Sequence, residues 1–170
     1  MEKVLIALDY DPSAQKVAEA GFSLAKSINA EVILLHIISD PKLYSSTKHI
    51  KIMGFAGIKD KIPLKSDSIG ELKKVAQQFL DKSKDLLGDK SIQTLLNEGK
   101  VAASILITAK DVHADLIVMG SHSRKGSLNK SMKSVTEGVL RNTSTPLLII
   151  PTKIKTASEK KDLKTLPPIM

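Results

Sequence analysis

The stretch best equipped for chemistry runs from Asp115 to Pro151. Leu116, Ile117, Val118 and Met119 form an apolar run bounded by Asp115 and Gly120. A loop of glycine, serine and basic residues follows, including Ser123, Arg124, Lys125, Gly126 and Lys133. Ser134, Val135, Thr136 and Glu137 then read as a capping box that opens a helix. A strand that passes through such a loop into a capped helix can turn several backbone N–H groups outward together, and a helix N-terminus favours anions. This is the architecture of a phosphate cradle. It is not a Walker A loop, because no G-x-x-x-x-G-K-[ST] run occurs, and it is not the dinucleotide fingerprint, which belongs after a first strand.

Other reactive residue types are sparse. The chain has no cysteine, which excludes disulfides, thiolate zinc sites, iron–sulfur clusters and cysteine nucleophiles. His36 lies within an apolar run and reads as a satisfied core histidine. His122 lies in the cradle loop without a serine–aspartate arrangement to orient it. His49 and His113 show no ligand spacing with each other or with carboxylates, so no metal site is expected. Asp9 ends an apolar run and reads in two ways, as a ligand for ribose or a metal-bridged phosphate, or as a cap of the following turn. Met119 is a core residue by type. The serines of the loop read mainly as caps and solvated residues, with Ser134 serving as both cap and anion donor.

The elements that must position these residues alternate. Val4 to Leu8 is a buried strand, followed by Asp11 as N-cap and Pro12 at the first helical position. Val17, Gly21, Leu24 and Ile28 share one helical face, which Asn29 ends. Val32 to Ile38 is a second strand. Residues 41–66 show no period and read as a long loop, with room for one helical turn. Ser68 to Glu71 is a capping box that opens a helix with Ile69, Leu72, Ala76 and Phe79 inward and Gly88 as its stop. Ser91 to Leu96 is the weakest of the five strands, ending at Glu98 and Gly99. Ala102, Ile105, Ala109 and Val112 mark the next helix, Leu116 to Met119 the fourth strand, Val135 and Val139 a further helix, and Leu147 to Ile150 the fifth strand. Each strand but the last is followed by a helix, which predicts an α/β fold with a doubly wound parallel sheet covered on both faces.

The 170 residues are one domain by length, and 42% hydrophobic with 26% charged residues permits a sizeable core. No apolar run approaches the roughly 20 residues a membrane helix needs, and the N-terminal run is far too short for a signal peptide, so a cytoplasmic chain without a membrane partner is expected. The formal charge of +8 is concentrated in two segments, with +4 between Ser39 and Lys65 and +3 between Thr152 and Met170. Aromatic residues make up only 3%, so the stacking platforms of single-strand binders are missing and no nucleic-acid partner is expected. Solvated lysines on two mobile segments account for the charge, and residues 152–170 read as a flexible Lys-rich tail.

The glycine-rich stretch resembles the universal stress protein family, and so does the rest of residues 1–151. Val4 to Asp9 looks like the family's opening strand and aspartate, Leu34 to Ile37 like its second strand, Glu98 and Gly99 like the end of its third, and Ala114 to His122 like its fourth. The resemblance implies a Rossmann-like, five-stranded sheet of order 3-2-1-4-5. Ligands of such sheets bind beyond the carboxyl ends of the strands where the strand order reverses, here between the first and fourth strands. In ATP-binding members adenine and ribose lie by the ends of strands one, two and four, which by position nominates Asp9, Ile37, Met119 and Gly120. Phosphates lie on the glycine loop and the next helix start, which nominates Ser134 and Val135. The family signature for ATP is G-x2-G-x9-G-[S/T]. Gly120 and Ser134 match it, but Ser123 and Lys133 stand where the second and third glycines belong.

The resemblance therefore implies a non-catalytic cytoplasmic stress-response module, regulatory or interaction-based, with a nucleotide-type cleft and weak or absent ATP binding. An alternative is a sensor that holds ATP or AMP in that cleft, and a third option is a nucleotide-dependent enzyme. The sequence shows no catalytic carboxylate cluster, activated nucleophile or H-x-G-H segment for the last. Family members commonly dimerise through the fifth strand, so a homodimer through Leu147 to Ile150 is expected, together with a protein partner that the sequence does not specify.

Overall fold

The computed structural model describes residues 1–11, 13–39, 49–51, 61–63, 69–121 and 135–152. Strand β1 (Lys3–Ala7) leads through helix α1 (Ala14–Ser27) to β2 (Glu31–Ile38). A short pair, β3 (His49–Lys51) and β4 (Lys61–Pro63), precedes α2 (Ile69–Leu87), β5 (Gln93–Glu98), α3 (Val101–Asp111), β6 (Leu116–Gly120), α4 (Val135–Asn142) and β7 (Leu147–Ile150). The main sheet has the order β5-β2-β1-β6-β7 and its neighbours are all parallel. Counted along the chain, its five strands have the order 3-2-1-4-5 expected from the sequence.

Alternation of side chains along each strand divides the core in two. Val4, Ile6, Leu34 and Val118 face α1 and α2, where they meet Val17, Ala18, Leu72, Val75, Ala76 and Phe79. Leu5, Ile33, Leu35, Ile37, Ile117 and Met119 face α3 and α4, where they meet Ile105, Ala109 and Val139. Burial on both faces explains why the central strands read as unbroken apolar runs. Helix α1 approaches the sheet closely through small residues. A methyl group added at Gly21 would lie 2.7 Å from Ile6 Cδ1 and 3.2 Å from Val118 Cγ1.

Several boundaries differ from the sequence reading for local reasons. Asp11 does not cap α1 directly. Its Oδ1 accepts the Ser13 N–H at 2.9 Å and its carbonyl accepts the Ala14 N–H at 2.9 Å, so the aspartate builds a turn and the helix starts at Ala14. Ile28 and Ile69, expected to face inward, are each 37% exposed because they lie at or beyond helix ends. Asn29 (φ +54°) and Gly88 (φ +71°) do follow α1 and α2 in the left-handed conformation, as stop residues should. Strand β5 starts two residues later than expected and runs to Glu98, with no fully buried position, as befits a sheet edge.

The loop expected over residues 41–66 contains an antiparallel pairing of His49 with Pro63, Ile50 with Ile62 and Lys51 with Lys61. Three residues per strand are too few to register as a period in sequence. The mobility expected of the rest of that loop and of the tail concerns residues 40–48, 52–60, 64–65 and 153–170, which lie outside the described residues. Among the described residues no helix is long and apolar enough to cross a membrane.

Two carboxylates brace the end of the sheet where β1 and β6 begin. Asp115 Oδ2 accepts the backbone N–H groups of Glu2 at 2.7 Å and Lys3 at 3.0 Å, which holds its pKa below the ordinary aspartate value. Asp89 meets Lys26 Nζ at 2.8 Å and accepts the Ser91 N–H at 2.8 Å, and its pKa is lowered chiefly by the lysine and then by Ser91. A folded-state pKa below the unfolded one adds stability above the ordinary aspartate range, and that stability is lost as the pH falls through the folded value. Acid should thus begin to weaken the fold below about pH 4. Urea midpoints measured against pH should fall less steeply for Asp115→Asn than for wild type, and parallel curves would remove Asp115 from this role.

Candidate functional site

The order of the sheet reverses between β1 and β6. The two strands pair side by side, Val4 with Leu116, Leu5 with Ile117 and Ile6 with Val118. Beyond their carboxyl ends the chain leaves β1 for α1 on one face and leaves β6 for α4 on the other. In open α/β sheets such opposed exits leave a crevice between the strand ends, where ligands bind.

Asp9 stands just past β1, half-buried, and its Oδ1 accepts the Asp11 N–H at 3.1 Å. The carboxylate therefore does cap the turn while standing at the crevice, so the two readings of Asp9 are geometrically compatible. Gly120 ends β6 beside it. The Gly120 carbonyl accepts the Thr136 hydroxyl at 2.9 Å, which ties the first turn of α4 to the strand end. A methyl group at Gly120 would lie 2.9 Å from Thr152 Cγ2 and 3.2 Å from Val17 Cγ2. A side chain here would require Thr152 and Val17 to give way, so the chain's own packing favours glycine.

Ile37, Met119 and Val135 gather in the cluster under α3 and α4. Ile37 is 6% and Met119 5% exposed, so they form an apolar floor and could offer a flat ring only their edges. Of the residues nominated by sequence, Ile37, Met119 and Val135 share one cluster, Asp9 stands just past β1, and Gly120 ends β6, the strand that pairs with β1. Ser123, Lys133 and Ser134 lie outside the described residues. Among the described residues no group of three histidine, aspartate or glutamate side chains could hold a metal ion.

Three supports of this crevice escaped the sequence reading. The Ser121 hydroxyl accepts the Thr152 N–H at 3.1 Å, and the Ser121 N–H donates to the Ile150 carbonyl at 2.9 Å. Lys16 Nζ reaches the Pro151 carbonyl at 2.7 Å. Thr152, assigned by composition to the tail, is thereby anchored to the start of the glycine-rich loop. Behind Asp9, Tyr10 packs on His36 with ring centroids 4.4 Å apart and on Phe79 at 5.1 Å. None of these pairings is local, and the only sequence hint was a histidine inside an apolar strand.

Comparison with known proteins agrees with this fold. The family model described as "Universal stress protein family" matches residues 1–151. Universal stress protein YxiE of Bacillus subtilis is 28% identical over 151 residues, which cover 87% of this chain and 97% of that protein. Universal stress protein MJ0577 of Methanocaldococcus jannaschii is 26% identical over 156 residues, 89% of this chain and 96% of the relative. The solved structure of MJ0577 superposes with a TM-score of 0.66 at 23% identity, over 91% of this chain and 98% of its own. Two further structures share the fold. A universal stress protein in complex with cAMP has a TM-score of 0.56 at 18% identity, over 88% of this chain and 95% of that one. The universal stress protein of Archaeoglobus fulgidus in complex with dAMP has a TM-score of 0.54 at 15% identity, over 88% and 97%. On the family match over nearly all of its sheet and helices, the chain belongs to the universal stress protein family.

Proposed function

We propose that this protein is a non-catalytic cytoplasmic stress-response module, acting through regulation or interaction, whose switch-point crevice takes an adenine nucleotide weakly or not at all. The observation that carries this reading is the side-by-side pairing of β1 and β6, with Asp9 just past the first and Gly120 at the end of the second, in a chain whose loop has Ser123 and Lys133 in place of two signature glycines. The first half of that observation supports a nucleotide-shaped crevice. The second weakens the cradle for phosphates. The cAMP and dAMP complexes of two fold relatives favour a nucleotide as the class of ligand. They also support the second reading, a sensor that retains ATP or AMP. Mass spectrometry of the natively purified protein separates the two. Substoichiometric or absent nucleotide is expected. Near-stoichiometric ATP or AMP would establish the sensor, and turnover of that nucleotide would establish an enzyme.

The module is further proposed to act as a homodimer paired through β7. That strand lies at one edge of the sheet, and all four of its apolar residues remain half-buried. An apolar edge with unpaired backbone groups is a template for pairing with a second copy. Sedimentation at micromolar concentration should show a species of twice 18.4 kDa, and a purely monomeric boundary would overturn the dimer.

A further inference from the structure

We propose that His36 is a positioning residue for Asp9, acting through a proton on Nδ1 and through the Tyr10 ring packed against it at a tilt of 36°. The inference rests on the reading of the crevice as a nucleotide-type site only for its consequence on binding. Its structural part stands alone.

Asp9 lies between two residues that the core holds from below. On its N-terminal side, the Leu8 N–H donates to the Leu35 carbonyl at 2.8 Å, continuing the ladder between β1 and β2. The Leu8 carbonyl lies 2.8 Å from His36 Nδ1. A carbonyl can only accept, so Nδ1 must carry the proton. On the C-terminal side, the Tyr10 ring packs on the imidazole at 4.4 Å and meets the edge of Phe79 at 5.1 Å. Phe79 in turn stands edge-on to His36, with centroids 5.7 Å apart and an interplanar angle of 71°. Tyr10, His36 and Phe79 are 5%, 3% and 0% exposed, so the ring cluster has little room to reorient.

The imidazole thus touches both neighbours of Asp9. Below the segment the backbone is pinned at Leu8, and the ring of Tyr10 fixes how the chain leaves Asp9. The carboxylate is then placed to accept the Asp11 N–H at 3.1 Å and to stand at the end of β1. This explains a histidine in a strand whose other interior positions are aliphatic. Leucine or phenylalanine would fill the space and avoid burying a polar ring, but neither could donate to Leu8.

The test uses the full chain labelled with ¹⁵N. In the absence of nucleotide, the His36 side chain should show a proton bonded to Nδ1. His36→Phe keeps a ring and loses the donor, whereas His36→Asn keeps an N–H close to the Nδ1 position. Amide exchange at Asp11 should rise roughly five- to tenfold in the phenylalanine variant, the loss of about one net hydrogen bond, and the asparagine variant should recover most of the protection. A merely structural role would instead raise exchange evenly along β1 and β2. Calorimetric titration with AMP and ATP is the second readout. Affinity should fall by a similar factor in His36→Phe and recover in His36→Asn. Wild type that binds neither nucleotide agrees with the proposed function, and the proton and the Asp11 amide then judge His36 alone. If His36→Phe does not fold, Tyr10→Leu removes the packed ring and reports on the same amide. A bare Nδ1, or Asp11 exchange unchanged in whichever variant folds, overturns the proposal.

Discussion

Replacing Phe79 by alanine is expected to lower the unfolding free energy by about 3–5 kcal/mol, the range for deleting a fully buried aromatic side chain. Phe79 lies on α2 with no exposed surface. Its ring closes the cluster with Tyr10 and His36 and belongs to the core beneath α1 and α2. Truncation leaves a void between that helix and β2, and the neighbouring rings are held by their own contacts, so the void cannot collapse fully. Against a typical total stability of roughly 5–15 kcal/mol the loss is large. For a chain of this size it corresponds to a fall in melting temperature of about 6–20 °C. Thermal and urea melts of Phe79→Ala decide the matter, and a loss under about 1 kcal/mol would mean that the ring does not fill this core. Because Tyr10 and His36 lean on Phe79, the variant should also loosen the segment that carries Asp9 before the sheet itself gives way.

The double change Ser123→Gly and Lys133→Gly is expected to strengthen ATP binding by roughly 5–30-fold. A phosphate cradle works through backbone N–H groups that converge on the ligand, and glycine serves where the backbone must turn left-handed or let the phosphate approach closely. A side chain in such a conformation costs about 1–2 kcal/mol, which sets the size of the expected gain. Lys133 directly precedes Ser134 and Val135, the first residue of α4, so its substitution acts at the entrance to the helix. Ser123 is small and should matter less. The competing effect is loss of the Lys133 ammonium, which could pair with a phosphate. Salt separates the two, since a charge contact weakens with ionic strength and backbone strain does not. Calorimetric titration of wild type and double variant at low and high salt is the measurement. Tight binding by wild type that the glycines weaken would identify Lys133 as a phosphate ligand and overturn the reading of a damaged cradle.

Much of the scaffold was legible along the chain because its interactions are local or periodic. Val4 to Leu8, Val32 to Ile38 and Leu116 to Met119 are buried on both faces, so each appears as an apolar run bounded by turn residues. Asn29 and Gly88 adopt the left-handed conformation that ends α1 and α2, a property of the residue type as much as of its context. The pairing of Ile50 with Ile62 was not legible, since three-residue strands carry no period. Nor was the turn at Asp11, where a side chain could cap the helix or build the preceding turn and the structure chose the second. Ile28 and Ile69 kept the helical spacing but lost their burial, because spacing defines a face and not how far the covering sheet extends.

The sequence by itself determined the alternation of strands and helices, the two-sided burial of the central strands and the places of Asp9 just past β1 and Gly120 at the end of β6. Hydrophobic periodicity and turn chemistry act within a few residues and need no tertiary partner to be read. Only the tertiary structure decided what those end residues lean on. A side chain at Gly120 would have to displace Thr152, just past β7, and Val17 of α1. Thr152 is an anchor and not the start of a tail because Ser121 receives it. His36 holds the segment around Asp9 because parallel pairing brings β2 beneath the end of β1 and α2 lays Phe79 against the same ring. These contacts join residues from 28 positions apart, His36 with Leu8, to 103 apart, Val17 with Gly120, and pairings at that range follow from the crossover connections of the sheet, which no local pattern encodes.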